Sequence, residues 1–243
     1  MPTVEHPSTK SLVTKVIQYA KTQIHDKDQL TVFSRFIELF YSHASENDLK
    51  HRSIAELFAM VNSQWALVCK QKKVTEDALR VFNPDIESDG WHTTHTVIEL
   101  MMQDMPFIVD SMRMEMNRLG YTVQLMIHMG GMTICRDAKG HPTHVDVYDA
   151  DKKQSGVIES PVYMEIDRQT DPAILEMIRE SLTHVLSDVK TVVEDWQPMQ
   201  DRVKASIEAL SKPQSVTPKE EVKESICIFA VVARRTIYVS RCA

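Results

Sequence analysis

The stretch that decides the fold is Gln103-Asp104-Met105-Pro106-Phe107-Ile108-Val109-Asp110-Ser111. Upstream of it, His95, Val97 and Glu99 alternate with Thr96, Ile98 and Leu100, and Met101 and Met102 follow. This short β-rich run opens after the turn pair Asp89-Gly90. Downstream, Ile108, Met112, Met116 and Leu119 recur at helical spacing up to Gly120, where a C-cap glycine belongs. Asp104 can cap that helix, Pro106 fits its first turn, and Asp110 lies near the positive end of its dipole. The spacing predicts a strand that feeds a helix through an Asp-x-Pro turn.

Working outward, Tyr121–His128 and Met132–Arg136 are apolar runs parted by Gly130-Gly131, and the turn at Asp137–Gly140 leads to an alternating segment, His144–Tyr148. Pro161–Asp167 alternates again, with Val162, Met164 and Ile166 on one face. Asp171 and Pro172 then open a long helix through Ile174, Ile178, Leu182, Leu186, Val189 and Trp196, which Pro198 is expected to bend or end. Strand, helix, several strands and helix is the order of a split βαβ fold, an α+β antiparallel sheet with helices on one face. The first third reads as helical. Phe33, Phe36, Ile37 and Phe40 form one stripe, and Ser53 with Glu56 makes a capping box ahead of Ile54, Leu57, Phe58, Val61, Trp65 and Val68. The expected organisation is a small helical subdomain at 1–88, the α+β domain at 89–210, a linker at 211–226 and an aberrant tail at 227–243.

At 243 residues and 43% hydrophobic, the chain can bury a sizeable core. Acidic residues outnumber basic ones 34 to 28, and no dense Lys/Arg block favours a nucleic-acid partner. No apolar run approaches the roughly 18 residues of a membrane helix, and no signal pattern opens the chain. The four cysteines lack CxxC spacing, so a cytoplasmic protein with reduced thiols is expected.

The six glycines form neither GxGxxG nor a phosphate loop, so no cofactor-binding residues are assigned in this chain. No catalytic residue is assigned either, since GxSxG and HExxH are both missing. The pairs His92/His95 and His141/His144 fall short of a zinc site, because strand residues three apart point to opposite faces. No metal ligand is therefore expected. A local excess of methionine, from Met101 to Met132, suits an irregular core. The candidates that remain are Asp104, Pro106, Phe107, Asp110 and Ser111. They serve either as helix-capping residues or as a helix start whose N–H groups could hold the carboxylate of an amino-acid effector.

Trp91, His95–Glu99 and Asp104–Ser111 together resemble the N-terminal region of the large NAD-specific glutamate dehydrogenases. So do Arg80–Pro84, Arg136-Asp137 with Gly140, Glu159-Ser160, Leu186–Val189 and Val193–Trp196 with Met199, in colinear order over roughly residues 30–210. The resemblance implies ACT-like modules of regulatory or assembly character in an enzyme of amino-acid catabolism. It implies NAD as the cofactor of the parent enzyme, whose catalytic segment lies much later, so the chain alone is expected to be inactive. Its partners would be the remainder of the parent enzyme or like subunits in an oligomer. The alternative is a free-standing ACT-type amino-acid-binding or dimerisation module. Ligand-binding ACT domains often carry glycine directly after the turn proline, where this chain and the large dehydrogenases have a bulky residue, here Phe107. That exchange favours a structural role.

By composition alone Ile226–Val232 would be a buried strand, with Arg234-Arg235 as its gatekeeper. From Cys227 onward, however, the resemblance stops. Codons for Cys227–Ala243 can be chosen so that the frame displaced by one base spells a segment like the family's continuation. One extra base near the codon for Cys227 would then leave a tail without selected structure.

Overall fold

The structure is a computed structural model that describes residues 9–70, 77–149, 156–211 and 220–228. Its elements are α1 (Thr9–Gln23), α2 (Lys27–Phe40), α3 (Glu46–Leu49), α4 (Ile54–Lys70), β1 (Ala78–Phe82) and β2 (His95–Gln103). They continue with α5 (Ile108–Arg118), β3 (Val123–His128), β4 (Met132–Arg136), β5 (Pro142–Val147), β6 (Val157–Asp167) and α6 (Pro172–Ser211). Two compact units divide the chain, Met1–Asp104 with Val109–Val185, and Met105–Ile108 with Leu186–Ala243.

In the first unit all strand pairs are antiparallel, in the order β1-β2-β6-β4-β5, with β3 also paired to β6. The long strand β6 lies beside β2 along its length, while its other edge is shared between β3 at Val162–Ile166 and β4 at Val157–Glu159. Thus β2, α5, β3, β6 and α6 form the split βαβ core of an ACT/ferredoxin-like α+β fold. The place beside β2 that a last strand would take is filled instead by β1, which precedes the module in sequence. The sheet therefore begins at Ala78, within the segment that periodicity groups with the helices.

Local chemistry explains the element ends. Asp26 caps α2 by accepting from the N–H groups of Asp28 and Gln29. The Ser53/Glu56 box closes in both directions, with Ser53 N–H donating to Glu56 Oε2 at 2.7 Å and Glu56 N–H to Ser53 Oγ at 3.2 Å. Gly120 ends α5 at φ 82°, and Tyr121 N–H returns to the Met116 carbonyl, the long bond of a Schellman turn.

Both faces of β2 are buried from Thr96 to Met102. Val97, Met101 and Tyr163 share one core with the aromatic stripe Phe33, Phe36 and Phe40 and with Leu57, Val61 and Val68, so α1–α4 cover that face of the sheet. Alternation sends Ile98, Leu100, Val162 and Met164 to the opposite face. There Met112 and Met116 of α5 and Ile178 and Leu182 of α6 supply the matching buried side chains. The Ser181 hydroxyl donates to Glu115, tying α6 to α5.

In the second unit α6 continues past Pro198 to Ser211 as a single helix rather than ending there. Proline removes one backbone hydrogen bond, which the remaining turns of a 40-residue helix sustain. Residues 220–228 are helical, although the sequence places 220–226 in a linker and begins a strand at Ile226. The rest of the linker (212–219) and of the tail (229–243) lies outside the described residues, and with it the frameshift reading and the Arg234-Arg235 gatekeeper.

Candidate functional site

The turn out of β2 places the start of the helix later than the sequence spacing does. Helix α5 starts at Ile108, so Asp104 and Pro106 precede its first turn. The Asp104 N–H donates to the Ile158 carbonyl at 3.0 Å, which extends the sheet by one bond. Phe107 has φ 74°, the left-handed region that an L residue other than Asn or Asp rarely enters, and its ring is 39% exposed. This is the position where ligand-binding ACT domains often carry glycine; the backbone keeps the glycine conformation while the side chain does not. Asp110 lies exposed in the first turn of α5 and Ser111 is half-buried. Around Asp104 stand Gly131, where a built Cβ would come within 2.6 Å of Asp104 Oδ2, and His128, whose Nε2 is 2.8 Å from Ser160 Oγ. Burial lowers the His128 pKa, with the negative Asp104 opposing.

A second constellation, absent from the site read in the sequence, lies between the sheet and α1–α4. Glu99, Glu159 and Glu165 are all fully buried. Each meets an arginine. Arg52 grips Glu165 with both nitrogens, at 2.8 and 2.7 Å, while Tyr163 donates to the same carboxylate and His95 Nδ1 lies 3.2 Å from it. Arg136 grips Glu159 in the same two-pronged way, with Nη2–Oε2 at 2.9 Å. Arg80, directly opposite Glu99 in the β1–β2 register, reaches it at 3.2 Å and Asp89 at 3.4 Å while lying over the Phe82 ring. The third pair is therefore the weakest. Burial raises the Glu99 carboxyl to about 7, with the Ser63 hydroxyl and Arg80 pulling it back down. Its Oε1 has no hydrogen-bond partner among the described residues. The only sequence signal for these groups is a carboxylate at an inward position of an apolar strand, and its partner arginines lie 19 to 113 residues away.

Arg80, Asp89 and Ser63 also line a cleft of about 610 Å³ between α4 and the segment at 86–92. The two His-x-x-His pairs do not converge: His95 faces Glu165 and His141 faces Asp137 at 3.4 Å. Among the described residues no group of three or more His, Cys, Asp or Glu side chains is arranged to hold a metal ion, and no helix is long and apolar enough to cross a membrane.

A split βαβ sheet entered through this turn, with helices α5 and α6 on one face, defines an ACT-type α+β module. Residues 36–182 match the family described as glutamate dehydrogenase, ACT1 domain, and the chain belongs to that family. It is 37% identical over 200 residues to an NAD-specific glutamate dehydrogenase of Halomonas elongata, covering 80% of this chain and 12% of the relative. It is 32% identical over 208 residues to one of Pseudomonas aeruginosa, covering 86% and 13%. The chain thus spans about an eighth of the length of the curated relatives it matches. No solved structure gives a significant match.

Proposed function

We propose that this segment is a regulatory or assembly module of an NAD-specific glutamate dehydrogenase, working in the cytoplasm in amino-acid catabolism. The oxidation of L-glutamate by NAD and water to 2-oxoglutarate, ammonia and NADH is carried by sequence outside it. The supporting observation is the 37% identity over 200 residues to a protein named for that reaction, of which those residues make up only 12%. Phe107 adds to the assembly side of the reading. A bulky residue stands where ligand-binding ACT domains often carry glycine, while its φ of 74° keeps the turn in the glycine-like shape. Partners are the remainder of the dehydrogenase and like subunits.

The test has two arms. Purified chain supplied with L-glutamate and NAD is expected to form no NADH; turnover would make it an enzyme in its own right. Its melting temperature is expected to stay constant across a panel of amino acids. A saturable rise abolished by changes at Asp110 or Ser111 would overturn the assembly reading in favour of an effector-binding module, because a ligand that prefers the folded state stabilises it by mass action.

A further inference from the structure

The second half of α6 carries a pattern that the α+β module does not use. From Leu186 its apolar residues alternate at spacings of three and four, through Val189, Val193 and Trp196. After Gln200 the alternation continues with Val203, Ile207 and Leu210. That is the heptad seam of a helix lying along another helix, over about 36 Å here. Leu186 and Val189 are buried, but the six seam positions after them are all part-exposed. Beside the seam, Val192 and Met199 are 52% and 51% exposed. The described helix at 220–228 is about 13 Å long, so it can cover little more than a third of the seam.

The order of residues along the seam says what fits it. The seam reads the same in both directions about Pro198, so two copies running antiparallel around that point match layer by layer. Val193 meets Val203 of the second copy, and Trp196 meets its Gln200. Neither the Trp196 indole N–H nor the Gln200 amide has a hydrogen-bond partner among the described residues. The indole only donates and the amide oxygen accepts, so this layer answers the one polar position of the seam. Met199 comes onto Met199 of the second copy at the two-fold axis, whereas parallel copies would set it against Lys204. The charges agree. Asp188, Glu194 and Asp195 make the first half of the stretch the more acidic, and Arg202 and Lys204 lie in the second, so the antiparallel order brings unlike halves together. Pro198 stands on the face opposite the seam, where its missing N–H costs the pairing nothing.

From this pattern we infer that the distal half of α6 docks on the same half of a second copy of this chain, as an antiparallel helical pair centred on Pro198. The inference deepens the assembly reading above by naming its surface and its partner. A melting shift with an amino acid would overturn that reading and leave this one standing, whereas a chain that stays monomeric overturns this one alone.

The test is sedimentation of the whole chain at concentrations from about 1 to 100 μM, where a passage from monomer to dimer is expected. Met199 is exposed, so Met199→Glu should keep the parent's melting curve at low concentration. It places two like charges at the axis, and dimer affinity should fall about tenfold or more. Orientation is read separately. Met199→Cys should be joined to its copy by a short bismaleimide, and the parent chain, with its own cysteines, should not. A monomer throughout the range overturns the proposal. So does a dimer indifferent to Met199→Glu, which would place the contact elsewhere on the chain, and so does a dimer that Met199→Cys fails to link.

Discussion

Arg52 and Glu165 meet through two parallel hydrogen bonds of 2.8 and 2.7 Å, joining the turn ahead of α4 to the sheet's long strand. Glu165 is fully buried and Arg52 is 20% exposed. The carboxylate also accepts from Tyr163, whose own ionisation burial pushes far out of reach. The helical layer and the sheet are therefore held in register by a charge pair as well as by the aromatic core.

Removing one partner of that pair should be far worse than removing both. Arg52→Met leaves Glu165 as a buried charge without its cation and is expected to cost about 3 kcal/mol or more in urea unfolding. The double variant Arg52→Met with Glu165→Leu should recover most of that loss. A double variant no more stable than Arg52→Met alone would show that the pair contributes geometry that apolar packing cannot replace.

Stability should depend on pH through Glu99. Its folded pKa of about 7 lies above the ordinary 4.5, so between these values the folded state holds more protons than the unfolded. The stabilisation is fully present below about pH 4.5 and is lost as pH rises through 7. The change is on the order of 3 kcal/mol at most. Comparing unfolding free energies from pH 5 to 8 in the parent and in Glu99→Gln isolates it; the variant should lack this decline. Asp146, held below the usual carboxylate range by Arg35, acts in the opposite sense and at lower pH, where its stabilising effect is lost on acidification.

At position 107 the usual order of glycine and alanine should invert. Phe107→Gly and Phe107→Ala both remove the ring, but only glycine adopts φ 74° without strain. Glycine should be the more stable by about 1 kcal/mol, read as the higher melting temperature. Alanine equal or better would mean that the turn relaxes once the ring is gone.

Gly131→Ala should destabilise by about 1 to 3 kcal/mol, because the added methyl would overlap Asp104 and Ile158. The built Cβ lies 2.6 Å from Asp104 Oδ2 and 2.7 Å from Ile158 Cγ2. Since Asp104 N–H also bonds the Ile158 carbonyl, the damage should appear as faster amide exchange at Asp104.

Much of this architecture follows from short-range pattern. Alternation over His95–Gln103, helical spacing from Ile108 to Gly120 and the Asp171-Pro172 start each reflect forces acting within a few residues, and the corresponding elements form. The capping box at Ser53 and Glu56 is legible for the same reason. The helix begins at Ile108, just past Pro106, and the Asp104 N–H is tied to Ile158, more than fifty residues away, a contact that local pattern does not show. Ala78–Phe82 is too short to announce itself, and becomes a strand because the edge of β2 is open to pair with it.

The buried carboxylates mark the limit of what sequence determines. Residue order sets most of the strands and helices and the turn at Asp104–Phe107, because propensity, capping and periodicity are local. It does not set which arginine answers which glutamate. Arg52 with Glu165, Arg136 with Glu159 and the divided Arg80 depend on how α4 and β1 come to rest on the sheet. Only that packing buries Glu99 beside Arg80 and Ser63 and leaves one oxygen of Glu99 and one of Gln64 without a hydrogen-bond partner among the described residues, because desolvation and hydrogen-bond satisfaction are properties of assembled neighbours.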